Sequence, residues 1–336
     1  MSITPTDPAA VARLAAHDAA QGDDYLGHVV WPAFTKTNIP YQDAAQAFAD
    51  AGLAGFIPKA SSKPDAFRIA TKALEHTVKH DDGTRSQIRL RELADRPDEV
   101  IRRVVVEHVD AKGGRLFYGQ TWELRFRKDA GVLSLSPVNV DDRGSVSPRD
   151  RWADPKVSDD YISTVHQEYV LATTTHNREA LSRACGNVLD AASAVPVRPG
   201  GIVYYVPWEH RDKVASLKYL ATRLEGVSIN GVVIPNTDNE RGMVLSGVTD
   251  KTMTDANEII RDIRKAQDDG KPIGPRAAAT MMTKYSGIKA RLQEYRQVLG
   301  DHLEDATSQL EMLSKLMAQA LNQVVDDEEP ALAVAV

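Results

Sequence analysis

A single cysteine, Cys185, occurs among the 336 residues, which excludes an intramolecular disulfide framework and any structural zinc site built on several thiolates. No stretch of about 18 uncharged apolar residues exists, so no membrane span is predicted. The start, Met1-Ser2-Ile3-Thr4-Pro5, lacks a basic flank followed by an apolar run, so no secretory signal is read. Together these features lead us to expect a globular, cytoplasmic protein with no membrane partner. Catalytic signatures are also missing. There is no Gly-x-x-x-x-Gly-Lys-Ser/Thr phosphate cradle, no His-Glu-x-x-His, no calcium loop and no nucleophile elbow. The pairs Gly113-Gly114 and Gly200-Gly201 lack dinucleotide-fingerprint spacing and read as turn and loop chemistry. No catalytic residue, cofactor or metal is therefore assigned.

A net charge of −6 argues against a uniformly polyanion-binding surface, yet the charge is unevenly spread. Residues 59–128 carry 16 Lys/Arg against 11 Asp/Glu, an excess of five cations, whereas both flanks are net acidic. Such asymmetry points to nucleic acid or another acidic partner for that segment.

The pattern predicts an α+β protein. Asp7-Pro8, Pro40 and Ser62-Pro64 each open a short helix, because a side-chain oxygen or a proline suits the first turn. From about Gln87 to Pro137 the apolar period becomes two: Ile88 and Leu90 alternate with Arg89 and Arg91, and Trp122, Leu124 and Phe126 with Glu123, Arg125 and Arg127. This predicts an antiparallel meander of three to five strands, with the arginines on the face opposite the core. Three helices followed by a meander is the order of a winged helix-turn-helix. On that reading Lys63, Arg68 and Lys72 lie on a groove-facing helix, while Arg89, Arg91, Arg125 and Arg127 meet phosphates. DNA is the partner this implies. The interleaved Glu92, Glu107 and Glu123 point instead to the competing reading, an ordinary solvated sheet face.

A polar connection at 138–158 suggests a boundary between a helix-and-meander domain, 1–140, and a second domain, 159–325, with a disordered tail at 326–336. The second domain reads as helices around Tyr161 to Leu189, then a strand-helix-strand unit: Ile202–Pro207, Glu209–Leu224 and Val227–Pro235. A helix near Asp255–Asp268 precedes an apolar seam through Met281, Tyr285, Ile288, Leu292, Tyr295, Leu299, Leu303, Ala306, Leu310, Leu313, Met317, Ala320 and Val324. Its steps of three and four keep a heptad register apart from one extra step of four at Gly300, which reads as a stutter in one rod of about 65 Å. The preceding helix looks too short to cover it. Tyr285, Ile288, Leu292, Tyr295, Leu299, Leu303, Leu310 and Leu313 therefore stand as interface residues, against other helices of the chain or in a homodimer.

Two other groups of residues offer reactive side chains. Cys185 and His176 lie nine residues apart, about 2.5 helical turns, so on one helix they point to opposite sides. His76 and His80, four apart, would align on a helix beside Asp81, but a third metal ligand is lacking. Neither carries an assignment.

The strand-helix-strand unit around Ile202-Val203-Tyr204-Tyr205-Val206-Pro207, joined to the long Tyr285-Leu292-Tyr295-Leu299-Leu303-Leu310-Leu313 helix, resembles uncharacterised proteins of actinobacterial phages and mobile elements. The resemblance covers roughly residues 200–325. It supplies no function and no catalytic residues. The chain as a whole reads as a non-enzymatic binding and assembly protein acting on DNA, the alternatives being a protein-only scaffold or host-directed adaptor working through the long helix, or an enzyme of unknown class.

Overall fold

The computed structural model describes residues 25–129, 132–137, 155–270 and 273–326. The helix expected after Asp7-Pro8, most of the 138–158 connection and the tail beyond 326 lie outside them. Among the described residues, eleven strands, all paired antiparallel, and eight α-helices form two compact units. None of the described helices is long and apolar enough to cross a membrane.

One unit comprises Lys36–Gln46 and Ile57–Leu181. Its centre is a five-stranded meander in sequence order: β3 (His76–Lys79), β4 (Arg85–Asp95), β5 (Glu99–Val109), β6 (Arg115–Arg127) and β7 (Val132–Pro137). Turns follow from local chemistry. Asp110 Oδ1 accepts from the amides of Lys112 and Gly114, and Gly113 takes a φ of 92°, which a side chain would strain. After α1 (Tyr41–Asp50), helix α2 (Lys63–Lys72) starts where the Ser62 hydroxyl accepts from the Asp65 amide, with Pro64 in the first turn. It buries Phe67 and Ala70 against Ile88, Val104 and Phe126, and α3 (Pro155–Thr174) adds Tyr161 and Val165 to the same face. A two-stranded ribbon, β2 (Asn38–Pro40) with β8 (Thr175–Asn177), completes this unit.

The other unit comprises Met1–Thr35, Ala47–Phe56 and Ser182–Val336. Its four-stranded sheet has the order β11 (Val227–Pro235), β1 (Tyr25–Phe34), β10 (Tyr204–Pro207), β9 (Val195–Pro196). The expected strand-helix-strand is present, with α5 (Arg211–Arg223) between β10 and β11, but its strands are not neighbours. β1 lies between them, antiparallel to both, so β10 and β11 run in the same direction on either side of it. A segment from the expected 1–140 domain thus belongs to the sheet of the C-terminal unit, and the division of the chain differs from the one read at 138–158.

The seam is also organised differently. The helix before it, α6 (Asp238–Asp268), has 31 residues, because its first half, polar in composition, still buries Val244, Val248 and Thr252. Gly247 lets it approach the sheet: a Cβ there would meet the Pro196 carbonyl oxygen at 2.8 Å. The seam itself is two helices, α7 (Pro275–Leu299) and α8 (Glu304–Asp326), separated at Gly300, whose φ is 67°. Arg296 donates to the Thr307 hydroxyl at 2.9 Å. In a continuous helix 11 residues would separate them by about 16 Å, so the chain reverses at Gly300–Leu303. The extra step of four marks a break, which corrects the single-rod expectation.

The seam is covered from within. Ile288, Leu292, Tyr295, Leu299, Leu303, Leu310 and Leu313 are all buried in one core with Leu26, Tyr205, Val248, Ile259 and Ile263, and Tyr285 packs half-buried at its edge. Arg291 to Asp255 at 2.9 Å and Lys284 to Glu258 at 3.5 Å tie α7 to α6. These residues are not a free interface. The full length of α6, not a second copy, accounts for the heptad stripe.

Candidate polyanion interface

Residues paired directly across an antiparallel ladder share a face. The register therefore assigns one side of the meander residue by residue. Lys79 pairs with Arg85, Arg85 with Val109, and Arg89 with Val105. Arg91 pairs with Arg103, Arg103 with Glu123, Ile101 with Arg125, and Glu99 with Arg127. This side holds Lys79, Arg85, Arg89, Arg91, Arg103, Arg125 and Arg127 against the carboxylates Glu99, Glu107 and Glu123. Helices α2 and α3 pack on the other side. Arg85, Arg89, Arg91, Arg125 and Arg127 are exposed, whereas Val105, Ile101 and Val109 among them are buried. Flanking arginine stems suit that task, since the aliphatic part covers apolar surface while the guanidinium stays in water.

The carboxylates neutralise only part of this face. Glu123 accepts from Arg103 at 3.0 Å and contacts Arg125 at 2.6 Å. Burial works against its ionised form, but the bonds from Arg103 and Arg125 prevail and hold the Glu123 carboxyl below its usual range. Glu99 lies 3.0 Å from Arg96 and 3.7 Å from Arg125. Arg127 pairs with Asp129 at 2.9 Å. Among the described residues Arg89 bonds only Gln87, and Arg91 has no carboxylate partner although it stands directly across from Arg103. Like charges placed so are destabilising. Glu123 already meets the Arg103 half of this pair at 3.0 Å, and an anion brought to Arg91 would meet the other half.

Of the seven expected nucleic-acid residues, Arg89, Arg91, Arg125 and Arg127 are brought together on this face. Lys63, Arg68 and Lys72 are not. They belong to α2, which packs on the opposite side of the sheet, so no single surface holds all seven. Lys63 and Lys72 are exposed, but Arg68 is enclosed by carboxylates, at 2.9 Å from Asp65, 3.0 Å from Glu92 and 2.6 Å from Asp95. Its bond to Glu92 raises the guanidinium pKa, more than burial lowers it, with Asp65 and Asp95 adding to the effect. The three-helix order of a winged helix is not what the described residues show: strands β1 and β2 and two α-helices precede the meander, and the helix expected to enter a groove serves the core.

Sequence reasoning missed Lys79, Arg85 and Arg103. Arg85 was legible, since it shares the even spacing of Arg89 and Arg91. Lys79 and Arg103 needed the strand register.

The other chemistry stays quiet. Cys185 is buried on α4 (Arg178–Ala191), and burial pushes its thiol up to about 12, the opposite of an activated nucleophile. His76 and His80 flank a strand rather than riding a helix. His76 Nδ1 lies 2.9 Å from the Leu74 carbonyl oxygen, and His80 Nε2 lies 2.6 Å from Ser86 Oγ, which in turn contacts His108 Nδ1 at 2.8 Å. Among the described residues no group of three His, Cys, Asp or Glu is arranged to hold a metal.

No curated protein and no solved structure matches the chain. A family model does match, over residues 25–327, from the first described strand into the last helix and hence across both units. By that match the chain belongs to the family of unknown function DUF6744.

Proposed function

We propose that this is a non-enzymatic binding protein that holds DNA through the arginine face of the meander, with no reading of base sequence. The observation that carries the reading is the exposed row Arg85, Arg89 and Arg91 on β4, with no carboxylate partner among the described residues, set beside Arg103 and Arg125 on the sheet face opposite the one that α2 and α3 pack on. Guanidinium forks suit phosphate oxygens, and exposed arginines on a rigid sheet keep their spacing without ordering a loop. An assembly role for a phage or mobile element rests on the resemblance of the C-terminal third. The seam offers no surface to the scaffold alternative, because its residues serve the core.

Fluorescence anisotropy with a mixed-sequence duplex in low salt tests the proposal. Binding is expected for the full chain, lost in Arg89→Glu/Arg91→Glu and kept in Lys63→Glu/Lys72→Glu. Binding that is absent in low salt, or that is lost only with the helix pair, contradicts it.

A further inference from the structure

The cations of the meander form a single narrow track. Arg85, Arg89 and Arg91 follow one another on β4, Arg91 stands beside Arg103 on β5, and Arg125 and Arg127 continue the line on β6. At about 3.4 Å per residue along a strand and about 4.8 Å between strands, the line runs roughly 35 Å and shifts sideways by only about 10 Å. Carboxylates border it on both sides. Glu107, paired with Gln87 between Arg85 and Arg89, and Glu123, paired with Arg103, stand on one side, and Glu99, paired with Arg127, on the other.

A duplex fits such a line poorly. Each strand of B-DNA circles the axis once in about 34 Å, so against the face of a sheet it turns away after a few phosphates. A duplex also meets a surface as two rows of phosphates, with a groove of about 6 or 12 Å between them. This face has no second row of cations. β7, Val-Leu-Ser-Leu-Ser-Pro, carries no lysine or arginine, and β3, His-Thr-Val-Lys, adds only Lys79, across from Arg85. A phosphate chain running beside the track would lie over the bordering carboxylates, which repel it.

Resting on the reading of this face as a DNA surface, we infer that it holds DNA as a single strand, laid along β4 and across β5 onto β6. An unpaired strand has no helix to keep, so its backbone can follow the line from Arg85 to Arg127 and meet each guanidinium in turn. All of these arginines but Arg103 are exposed, so the contacts need no opening of the fold. A strand stacked at about 3.4 Å per nucleotide passes roughly ten phosphates over this length, and an extended one about half as many. The duplex meets only part of the track and binds more weakly.

Fluorescence anisotropy of the full chain with oligothymidylates of graded length, against the mixed-sequence duplex in the same low-salt buffer, tests this. The single strand is expected to bind at least tenfold more tightly than a duplex of equal length, with affinity rising steeply up to about ten nucleotides and little beyond. Arg85→Ser and Arg127→Ser, at opposite ends of the track, should each weaken the single strand at least threefold and bring the plateau to a shorter length. A duplex bound as tightly as the single strand overturns the inference while leaving the arginine face as a DNA surface. Single-strand affinity that is indifferent to both end substitutions overturns the track in the same way. Binding of neither form overturns the inference together with the reading it rests on.

Discussion

Truncation of Leu313 to alanine asks whether the heptad seam is core or interface. Leu313 is fully buried in the cluster that α6, α7 and α8 share, while its neighbour Met312 is 48% exposed. Leucine-to-alanine changes at fully buried sites cost about 3–5 kcal/mol, the transfer of the side chain plus the cavity it leaves. With a urea dependence of about 1–3 kcal/mol per molar, the midpoint should fall by at least roughly 1 M. Met312→Ala should stay within about 0.5 kcal/mol, because an exposed side chain leaves no cavity. Far-UV circular dichroism during urea titration reads both. If Leu313→Ala leaves the midpoint in place, or changes only the oligomeric mass, the seam is not buried within one chain and the assignment of α6 as its cover is wrong.

Two further outcomes follow from the buried groups. Cys185, buried with its thiol pushed up to about 12, should stay unmodified by a thiol reagent at pH 8 in the folded protein and titrate as one thiol in denaturant; rapid native labelling would contradict its placement. His176 is buried beside the Tyr41 ring, and desolvation lowers its pKa below the ordinary value of about 6.5. The unfolded chain therefore takes up this proton first as pH falls, so the stability that neutral His176 permits is full above about pH 6.5 and declines below it. His176→Gln should flatten that acid limb in thermal melts taken from pH 7 to 5, and an unchanged slope would count against the burial.

What was legible in the sequence is what local period and capping chemistry encode. Alternation around Arg89, Arg91, Arg125 and Arg127 placed them on one face, and the five-stranded meander bears that out. Ser62 and Pro64 marked the start of α2. β1 escaped because a strand flanked on both sides by others, with Leu26, His28 and Val30 buried and a proline and a glycine inside it, shows no clean alternation. The first half of α6 escaped because Gly247 and Thr252 look polar or breaking in sequence, yet glycine is what the close approach to Pro196 demands. A heptad stripe says which side of a helix is apolar but not whether the chain reverses, and only the positive φ of Gly300 separates a stutter from a turn. The winged-helix expectation rested on helix order alone, which does not report packing: α2 lies on one face of the sheet and the arginines on the other.

The salt dependence of DNA binding tests the central claim most directly. Each phosphate contact should contribute about −0.9 to the slope of log K against log salt, so four or five arginines at the sheet face predict a slope near −4. Arg91→Glu/Arg125→Glu should make it shallower by about two, with Lys63→Glu/Lys72→Glu leaving it unchanged. A flat slope in the wild type, or one that responds to the α2 lysines and not to the sheet arginines, would contradict the account.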